Sequence, residues 1–333
     1  MDYSVAPNCE IMQSFADSVA LRSSLVVNWI MSIIAFPILI KSIIYIWNTD
    51  AFHKNTKLQM VLHLIALLVH IIGRLGLHGL DLYNYFSPYI SACDIIPSFY
   101  RCLILRGIHN IGLKIAPMFS IALVLERYAS TVLSSSYEHC GPSWGIALML
   151  LQLVLAFFIL LALYFYASFQ PGEKVLYYCQ TISSSSASIY MVVIPLYVIL
   201  AGQVLSRVMF EFLIRRSRKL RSKLTISLSN RYNLDQGIKS MNVLTLAINY
   251  STISFIVQSI AVTTLHLNAN NMPKPLYIAM MEAINILPVY SIIVPVMIYK
   301  NLRQINKIEQ KNLVKAIQLG PEAYFQQFKN MVH

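Results

Sequence analysis

Charged and titratable side chains stand inside stretches of the sequence that are otherwise almost entirely apolar. They are His63, His70, Arg74 and His78 in one stretch, Arg106, His109 and Lys114 in a second, and Glu282 in a third. An ionised group at membrane depth is costly unless it is paired or faces a cavity, so such residues are candidates for function. We expect Glu282 to pair with Arg74 or Arg106. The remaining cation would suit a small ligand that carries a carboxylate or another acceptor group.

The predicted ligand site lies where several of these residues share one depth. It comprises Arg74, Arg106, His109 and Glu282, enclosed by Tyr190, Gln258 and Asn285. Small-molecule sites are mostly apolar clefts with a few convergent polar groups, which this set would provide. The alternative is a structural salt bridge with an arginine that extends to the lipid headgroups.

The composition places these residues in a membrane protein. Apolar residues make up 57% of the 333 residues and charged residues 12%, whereas soluble domains average about 45–50% and about 25%. The apolar content also excludes a disordered chain. The net charge of +12 could indicate nucleic-acid binding, but the basic residues are concentrated at 215–239 and 300–329, beside long apolar runs. Basic residues in such positions mark the cytoplasmic side of a membrane, so nucleic acid is not an expected partner.

Seven runs of mostly apolar residues are each long enough to cross a bilayer, which takes about 20 residues. The runs are 25–47, 58–80, 102–125, 144–167, 187–213, 241–266 and 276–299. Several contain prolines, namely Pro37, Pro117, Pro195, Pro288 and Pro295. We expect these prolines to kink the helices rather than end them, because neighbouring helices can satisfy the freed carbonyls.

The distribution of lysine and arginine over alternate loops predicts the orientation. With the N-terminus outside, the inner segments hold 17 of these residues and the outer segments four. The predicted fold is an all-α, seven-transmembrane helix bundle with the N-terminus outside and the C-terminus inside. Residues 1–24 would be the extracellular N-terminus, 25–299 the membrane domain and 300–333 a cytoplasmic tail. Residues 1–24 show no secretory signal, so the first apolar run is expected both to direct the chain to the membrane and to anchor it there.

Four cysteines, Cys9, Cys93, Cys102 and Cys179, lie in the predicted outer segments, where disulfides can form. Four cysteines allow three pairings. Cys102 opens the third run and Cys179 lies in the loop between the fourth and fifth, so a bond between them would tie that loop across the mouth of the bundle. We favour this pair, with Cys9 and Cys93 as a possible second pair. The alternative is free, buried thiols.

One motif resembles the G-protein-coupled receptor superfamily. Glu126-Arg127-Tyr128 stands at the inner end of the third run, and Cys102 lies 25 residues before Arg127. An acid, an arginine and an aromatic at this position, in a seven-span chain with its N-terminus outside, are typical of that superfamily, as is the cysteine spacing.

A second motif is similar to a narrower family. Leu228, Ser229, Arg231 and Tyr232, followed by Asp235-Gln236, resemble the Leu-Ser-x-Arg-Tyr element of nematode serpentine chemoreceptors. The set Cys9-Glu10, Cys93-Asp94, Cys102 and Arg106 is more similar to class alpha than to class beta. The likeness runs from about residue 9 to residue 300, and class alpha/beta is the next nearest.

The resemblance implies a chemosensory receptor of the plasma membrane, in sensory neurons or their cilia, that reports a small external molecule to a heterotrimeric G protein. No cofactor is implied. Glu126 would hold Arg127 while the receptor is idle, and activation would free Arg127 as spans five and six splay to admit a helix of the partner. The alternative is an interfacial anchor in which Arg127 contacts headgroups and Tyr128 belongs to the aromatic belt. Pro295 and Tyr299 match a proline and a tyrosine near the end of span seven in related receptors and are further candidates for the switch.

Basic residues of the third inner loop, Arg215, Arg216 and Arg218 among them, are expected to attract anionic lipid of the inner leaflet and to lie beside the G protein. After Tyr299, apolar residues recur at spacings of three to five up to Gly320-Pro321. This pattern predicts a short amphipathic helix in the membrane interface.

Catalytic and metal-binding motifs are lacking in the sequence, which favours a non-enzymatic protein without a metal site. The rival function is a transporter or ligand-gated channel for a small solute, which the ionisable residues at membrane depth could also serve. Transporters often contain inverted repeats, and the sequence shows no such duplication. A scaffold without a ligand would share all these features.

Overall fold

The computed structural model describes residues 9–49, 51–132, 141–169, 177–179, 186–222 and 228–318. In these residues the chain forms seven helices that are long and apolar enough to cross a membrane, which confirms the predicted bundle. The spans are one, Val19–Asn48; two, Lys54–Phe86; three, Phe99–Ile115 with Phe119–Val132; four, Ser143–Phe169; five, Ser186–Arg221; six, Leu228–Leu267; and seven, Lys274–Ile284 with Leu287–Gln318. A short helix, Cys9–Ala16, precedes span one.

Side chains at the helix starts explain several of these boundaries. Ser18 and Ser98 are N-caps whose side chains accept hydrogen bonds from the backbone N–H groups of Leu21 and Arg101. Such caps satisfy donors that have no partner inside the helix. His53 caps span two in the same way, although histidine is not a preferred capping residue.

Two of the five prolines coincide with interruptions. Pro117 lies in the 3₁₀ turn Ala116–Met118 that divides span three, and span seven is interrupted at Asn285, just before Pro288. The helices continue through Pro37, Pro195 and Pro295. The expectation that no proline would mark a helix end was therefore wrong at Pro288. Proline lacks an N–H and fixes φ near the helical value, so it fits the first turn of the second segment of span seven.

Both predicted disulfides are present. Cys102 bonds Cys179 and Cys9 bonds Cys93, with the two Cα atoms 4.9 Å apart in each pair. The first bond holds the segment 177–179 against the start of span three, and the second holds the helix Cys9–Ala16 against the 3₁₀ turn Ala92–Ile95. We call this end of the bundle the disulfide end, and the opposite end, which carries Arg215 and Lys219, the basic end.

The helices pack through two main clusters of buried side chains. One occupies the middle and the basic end and includes Leu67, Leu123, Phe210, Leu244 and Leu302. The other lies at the disulfide end and joins Met12 and Phe15 of the short helix to Tyr178 and Tyr277. Lipid tails are as apolar as leucine, so close packing rather than exclusion of water holds such helices together.

The segment after Tyr299 differs from the prediction of a separate short helix, because span seven continues unbroken from Leu287 to Gln318. Ile298 and Leu302 are buried in the central cluster, and Asn301 donates a hydrogen bond to the backbone oxygen of Val243 at 3.2 Å. These contacts keep the helix on span six, so it does not turn away into the interface. The end of the predicted tail, 319–333, lies outside the described residues.

Candidate functional site

The carboxylate of Glu282, near the disulfide end of span seven, is the centre of a buried polar cluster. We use the name Glu282 cluster for Glu282, Arg74, His78, Arg106 and Tyr178. Oε2 of Glu282 accepts a hydrogen bond from Arg74 at 2.9 Å, and Oε1 accepts bonds from Arg106 at 3.0 Å and from the Tyr178 hydroxyl at 3.1 Å. His78 Nε2 lies 3.4 Å from Oε2. Two guanidinium groups therefore share one carboxylate, whereas the sequence analysis expected only one of them to pair with it.

The side chains of the Glu282 cluster are buried except that of Arg106, which is 16% exposed. Arg74 is 0% exposed and is the largest of the fully buried side chains. Its other terminal nitrogen donates to Oδ1 of Asn28 at 3.1 Å, and the Asn28 amide donates to the backbone oxygen of Glu282 at 2.9 Å. A buried charge that is paired and hydrogen-bonded keeps its neighbours in place, and removal of its partner is strongly destabilising. The Glu282 cluster and Asn28 thus join spans one, two, three and seven.

A glycine allows spans two and three to come close enough for both arginines to reach Glu282. A methyl group added at Gly73 would lie 2.5 Å from the backbone nitrogen of His109. Small residues permit this backbone approach between membrane helices. Gly73 precedes Arg74, and His109 follows Arg106 by three residues, so the contact lies at the level of the Glu282 cluster.

Tyr178 links the cluster to the loop between spans four and five, because it precedes the disulfide-bonded Cys179. Burial, and after it the negative charge of Glu282, holds the pKa of Tyr178 well above the usual value for tyrosine. The hydroxyl is therefore protonated at neutral pH and donates its hydrogen bond to Glu282. The adjacent cysteine was the only indication of this residue in the sequence.

The other predicted ligand-site residues are not part of the Glu282 cluster. The His109 ring lies 4.1 Å from the ring of His70, Gln258 is half-buried on span six, and Oδ1 of Asn285 accepts a hydrogen bond from the backbone N–H of Leu287 at 3.3 Å. The side chain of Tyr190 lies outside the described part of the chain. The structure thus brings Arg74, Arg106 and Glu282 together, and the ligand role of the whole set stays a prediction.

A second ion pair lies closer to the disulfide end. Arg101 donates to Asp81 at 2.5 Å. The sequence analysis placed Asp81 outside span two, because the apolar run ends at Leu80. The helix of span two continues to Phe86, so Asp81 belongs to the membrane helix. The disulfide half of the bundle therefore holds a second buried carboxylate beside Glu282, which the second apolar run of the sequence analysis did not include.

Near the basic end, Glu126 and Arg127 of span three and Thr56 of span two form a second buried site, which we call the Arg127 lock. Arg127 donates to both carboxylate oxygens of Glu126 and to the Thr56 hydroxyl, each at 2.5 Å. Glu126 is 0% exposed and Arg127 is 3% exposed. A methyl group added at Gly237 would lie 3.8 Å from Arg127, so the lock faces span six. Tyr128 points outward and is exposed.

Polar contacts join spans five and six beside the lock. Arg207 donates to Asn249, Arg218 donates to Asn242 at 3.3 Å, and Arg221 forms an ion pair of 2.5 Å with Asp235. Arg215 and Arg216 are exposed on span five. The motif residues Leu228, Ser229, Arg231 and Tyr232 begin span six, but their side chains lie outside the described part.

The two remaining switch candidates lie on span seven. Pro295 is buried in the unbroken helix. Tyr299 is exposed, and its ring lies edge-on to that of Tyr45 at 5.0 Å. Neither residue touches the Arg127 lock through a hydrogen bond recorded among the described residues. Their role in a switch stays a prediction.

Between the two sites lies a polar and aromatic contact that the sequence analysis did not assign. Nε2 of His63 lies 3.1 Å from the hydroxyl of Tyr290, and the His63 ring stacks on Phe119 at 4.4 Å. Tyr290 in turn stacks on Tyr250 at 6.0 Å. This contact connects spans two, three, six and seven between the Glu282 cluster and the Arg127 lock.

Comparison with known proteins identifies the family of this arrangement. Residues 6–333 match the family described as "Serpentine type 7TM GPCR receptor class ab chemoreceptor". The chain is 20% identical to serpentine receptor class alpha-10 of Caenorhabditis elegans, over 94% of this chain and 92% of the relative. It is 20% identical to serpentine receptor class alpha-10 of Caenorhabditis briggsae, over 78% and 77%. It is also 23% identical to serpentine receptor class alpha-39 of Caenorhabditis elegans, over 68% and 59%.

The resemblance noted in the sequence is thereby confirmed, and the family is one of receptors rather than enzymes. With seven membrane helices, two disulfides and a family match over almost its whole length, the chain belongs to the serpentine seven-transmembrane, G-protein-coupled chemoreceptors of class ab.

Proposed function

We propose that this chemoreceptor binds a small external molecule in the disulfide half of the bundle and activates a heterotrimeric G protein through the ends of spans three, five and six. The N-terminus would face the outside of the plasma membrane, and residues 300–333 would face the cytoplasm. The observation that carries the proposal is the Arg127 lock, in which a buried arginine faces span six and is held by Glu126 and Thr56.

In the proposed idle state the lock and the contacts between spans five and six keep the basic end closed. An arginine at the membrane boundary needs a partner, so its release from Glu126 requires a new acceptor. The G protein would supply one as the two spans separate. Arg215 and Arg216, which are exposed on the same end, would bind anionic lipid and the G protein, with about 1 kcal/mol per charge from the lipid.

At the other end, the Glu282 cluster supports a ligand role because two arginines share its carboxylate. A ligand acceptor group that competes for Arg106 would weaken the bond of that arginine to Glu282. Because Glu282 lies on span seven and Arg106 on span three, such competition would change the relative position of the two spans. In the proposed mechanism the contact between His63 and Tyr290, which lies between the Glu282 cluster and the Arg127 lock, transmits this change in position to the lock.

The test is nucleotide exchange on a heterotrimeric G protein by the purified receptor in lipid vesicles, screened against a panel of small water-soluble and volatile molecules. We expect at least one compound to accelerate exchange with the wild type. Arg127→Ala should abolish this effect while surface delivery and ligand binding remain detectable. Solute flux or ion conductance in vesicles without G protein would instead support the transporter or channel function.

A further inference from the structure

A cavity at the disulfide end lies between spans one and two, on the outside of the bundle. Its volume is about 290 Å³, close to the lower limit of about 300 Å³ for small-molecule sites. The lining residues are Trp29, Gly79, Leu82, Tyr83, Phe86 and Ser87. Tyr83 and Phe86 are 70% and 63% exposed. The cavity therefore opens to the surroundings of the bundle, and it shares no lining residue with the Glu282 cluster or the Arg127 lock.

The depth of this cavity is the boundary between the hydrocarbon core and the lipid headgroups. Trp29 is the fifth residue of the first apolar run, and Gly79 is the last but one of the second. Ser87 ends span two, seven residues after that second run, which is about 10 Å at 1.5 Å per residue. The polar layer of a leaflet begins where the apolar run ends. The part near Ser87 therefore lies among headgroups, and the part near Trp29 lies at the edge of the hydrocarbon.

The walls of the cavity are aromatic and uncharged. Three of its six lining residues are Trp29, Tyr83 and Phe86. A methyl group added at Gly79 would lie 3.2 Å from Nε1 of Trp29, so the glycine lets the indole lie close to span two. Aromatic faces attract cations, tryptophan most strongly, and quaternary ammonium groups are bound in this way. A primary ammonium also needs hydrogen-bond acceptors for its three donors, and the lining contains no carboxylate, so the cavity suits a quaternary ammonium better.

Arg22 supplies a second observation that points to a ligand. Its guanidinium carbon lies 5.3 Å from the centroid of the Phe86 ring, and therefore beside the cavity. Its side chain makes no hydrogen bond with any residue in the described ranges, and its ion pair with Asp17, at 3.5 Å, is exposed to solvent. A guanidinium group carries five N–H donors in a geometry that matches phosphate oxygens. At the level of the headgroups, Arg22 is thus suited to bind a lipid phosphate.

We propose that this cavity binds the phosphocholine headgroup of an outer-leaflet lipid, with the trimethylammonium group against Trp29 and Tyr83 and the phosphate at Arg22. The phosphate and the quaternary ammonium of this headgroup are neutral together. They match a single arginine beside uncharged aromatic walls, where an anionic headgroup would leave those walls without a cation. The hydroxyl of Ser87, which lines the same cavity, donates to a phosphate or ester oxygen.

A lipid fits this site better than a free choline compound, because the apolar surface continues from the cavity toward the middle of the membrane. Ile30 of span one and Leu80 of span two are exposed there and would contact the acyl chains. Asn28, which precedes Trp29, accepts a hydrogen bond from Arg74 at 3.1 Å, so a lipid that fixes Trp29 also supports the Glu282 cluster. The inference goes beyond the proposed function and needs neither external ligand nor G protein. Only the assignment to the outer leaflet rests on the proposed orientation.

The test titrates purified receptor in a neutral maltoside detergent with short-chain phosphatidylcholine, phosphatidylethanolamine and phosphatidylglycerol that carry identical acyl chains. The readout is the shift of the unfolding temperature with lipid concentration. We expect phosphatidylcholine to bind the wild type about tenfold more tightly than the other two lipids, because only its ammonium is quaternary. Arg22→Gln and Trp29→Leu should each weaken phosphatidylcholine binding about tenfold, since a charge-assisted hydrogen bond or a cation–π contact is lost.

Matched control variants lie at the basic end. Trp47→Leu and Arg303→Gln, both at exposed positions, should bind phosphatidylcholine like the wild type. If Trp29→Leu does not fold, Tyr83→Ala tests the same wall at a side chain that is 70% exposed, and it should weaken binding severalfold.

Three results would overturn the inference. Equal stabilisation by the three lipids would indicate an aromatic belt without a headgroup site. Unchanged phosphatidylcholine affinity in Arg22→Gln would remove the phosphate contact. Glycerophosphocholine, which carries the headgroup without acyl chains, should bind much more weakly than phosphatidylcholine, and equal affinity would contradict a lipid as the occupant.

Discussion

The carboxylate of Glu282 accepts hydrogen bonds from spans two and three and from the loop that carries Tyr178. Each donor satisfies part of a charge that has no access to water. The side chain at position 282 is therefore difficult to replace, and its loss would leave two guanidinium groups in an apolar interior.

We predict that Glu282→Gln lowers the free energy of unfolding by about 3–5 kcal/mol, the usual effect of breaking a buried ion pair. Asp17→Asn is the matched control, because Asp17 forms an exposed pair of 3.5 Å with Arg22. That change should alter the stability by less than about 1 kcal/mol. Thermal unfolding of the purified receptor measures both, and equal effects would show that the Glu282 cluster is not structural.

At the Arg127 lock we predict that Glu126→Gln raises ligand-independent nucleotide exchange severalfold, because a neutral amide holds the guanidinium less strongly than a carboxylate. The Arg127→Ala receptor should catalyse no nucleotide exchange on the G protein above background. Asp17→Asn again serves as the control and should match the wild type. A Glu126→Gln receptor that reaches the surface with unchanged basal exchange would favour the interfacial-anchor interpretation of Arg127.

At the scale of helices, glycines decide how closely spans two and three approach. A methyl group added at Gly112 would meet the backbone oxygen of Ala66 and lie 2.7 Å from the backbone nitrogen of His70. Both neighbours are backbone atoms of span two, so they cannot move aside without shifting the helix.

We therefore expect Gly112→Ala to lower the free energy of unfolding of the receptor by about 1–3 kcal/mol, the range for overpacked cores. Gly237→Ala is the control, since a methyl group there has only an ordinary contact at 3.8 Å. Its effect should be neutral or slightly stabilising, because alanine favours the helix. Thermal unfolding distinguishes the two, and a stable Gly112→Ala receptor would contradict the close packing.

The elements themselves were largely predictable, because a bilayer requires long apolar helices and the sequence contains seven. The ends of the helices were not predictable, because polar residues can extend a helix beyond the last residue of the apolar run. Asp81 shows this, as it lies just after the run of span two and yet pairs with Arg101 inside the bundle. The helix beyond Tyr299 also continues, because Leu302 packs on the core rather than on the interface.

The partners of the buried polar residues were only partly predictable. Charge alone was sufficient to name Arg74 and Arg106 as candidate partners of Glu282, but not to predict that both would pair with it. The contribution of Asn28 and the contact of His63 with Tyr290 depend on which helices are neighbours. Helix order in three dimensions has no local signal in one sequence, so these contacts required the structure.

At the scale of the whole molecule, the proposed function needs ligand and G protein on opposite sides of the membrane. The two disulfides lie at one end of the bundle and the exposed arginines of span five at the other. Disulfides form in an oxidising compartment, and basic residues concentrate on the cytoplasmic side. Both arguments assign the same orientation.

The accessibility of epitope tags at the two termini tests this orientation most directly. In intact cells we predict that antibody binds a tag placed before residue 1 and binds a tag placed after residue 333 only once the membrane is permeabilised. Binding at both termini of intact cells, or a C-terminal tag that alone is accessible, would contradict the orientation and with it the proposed route from external ligand to G protein.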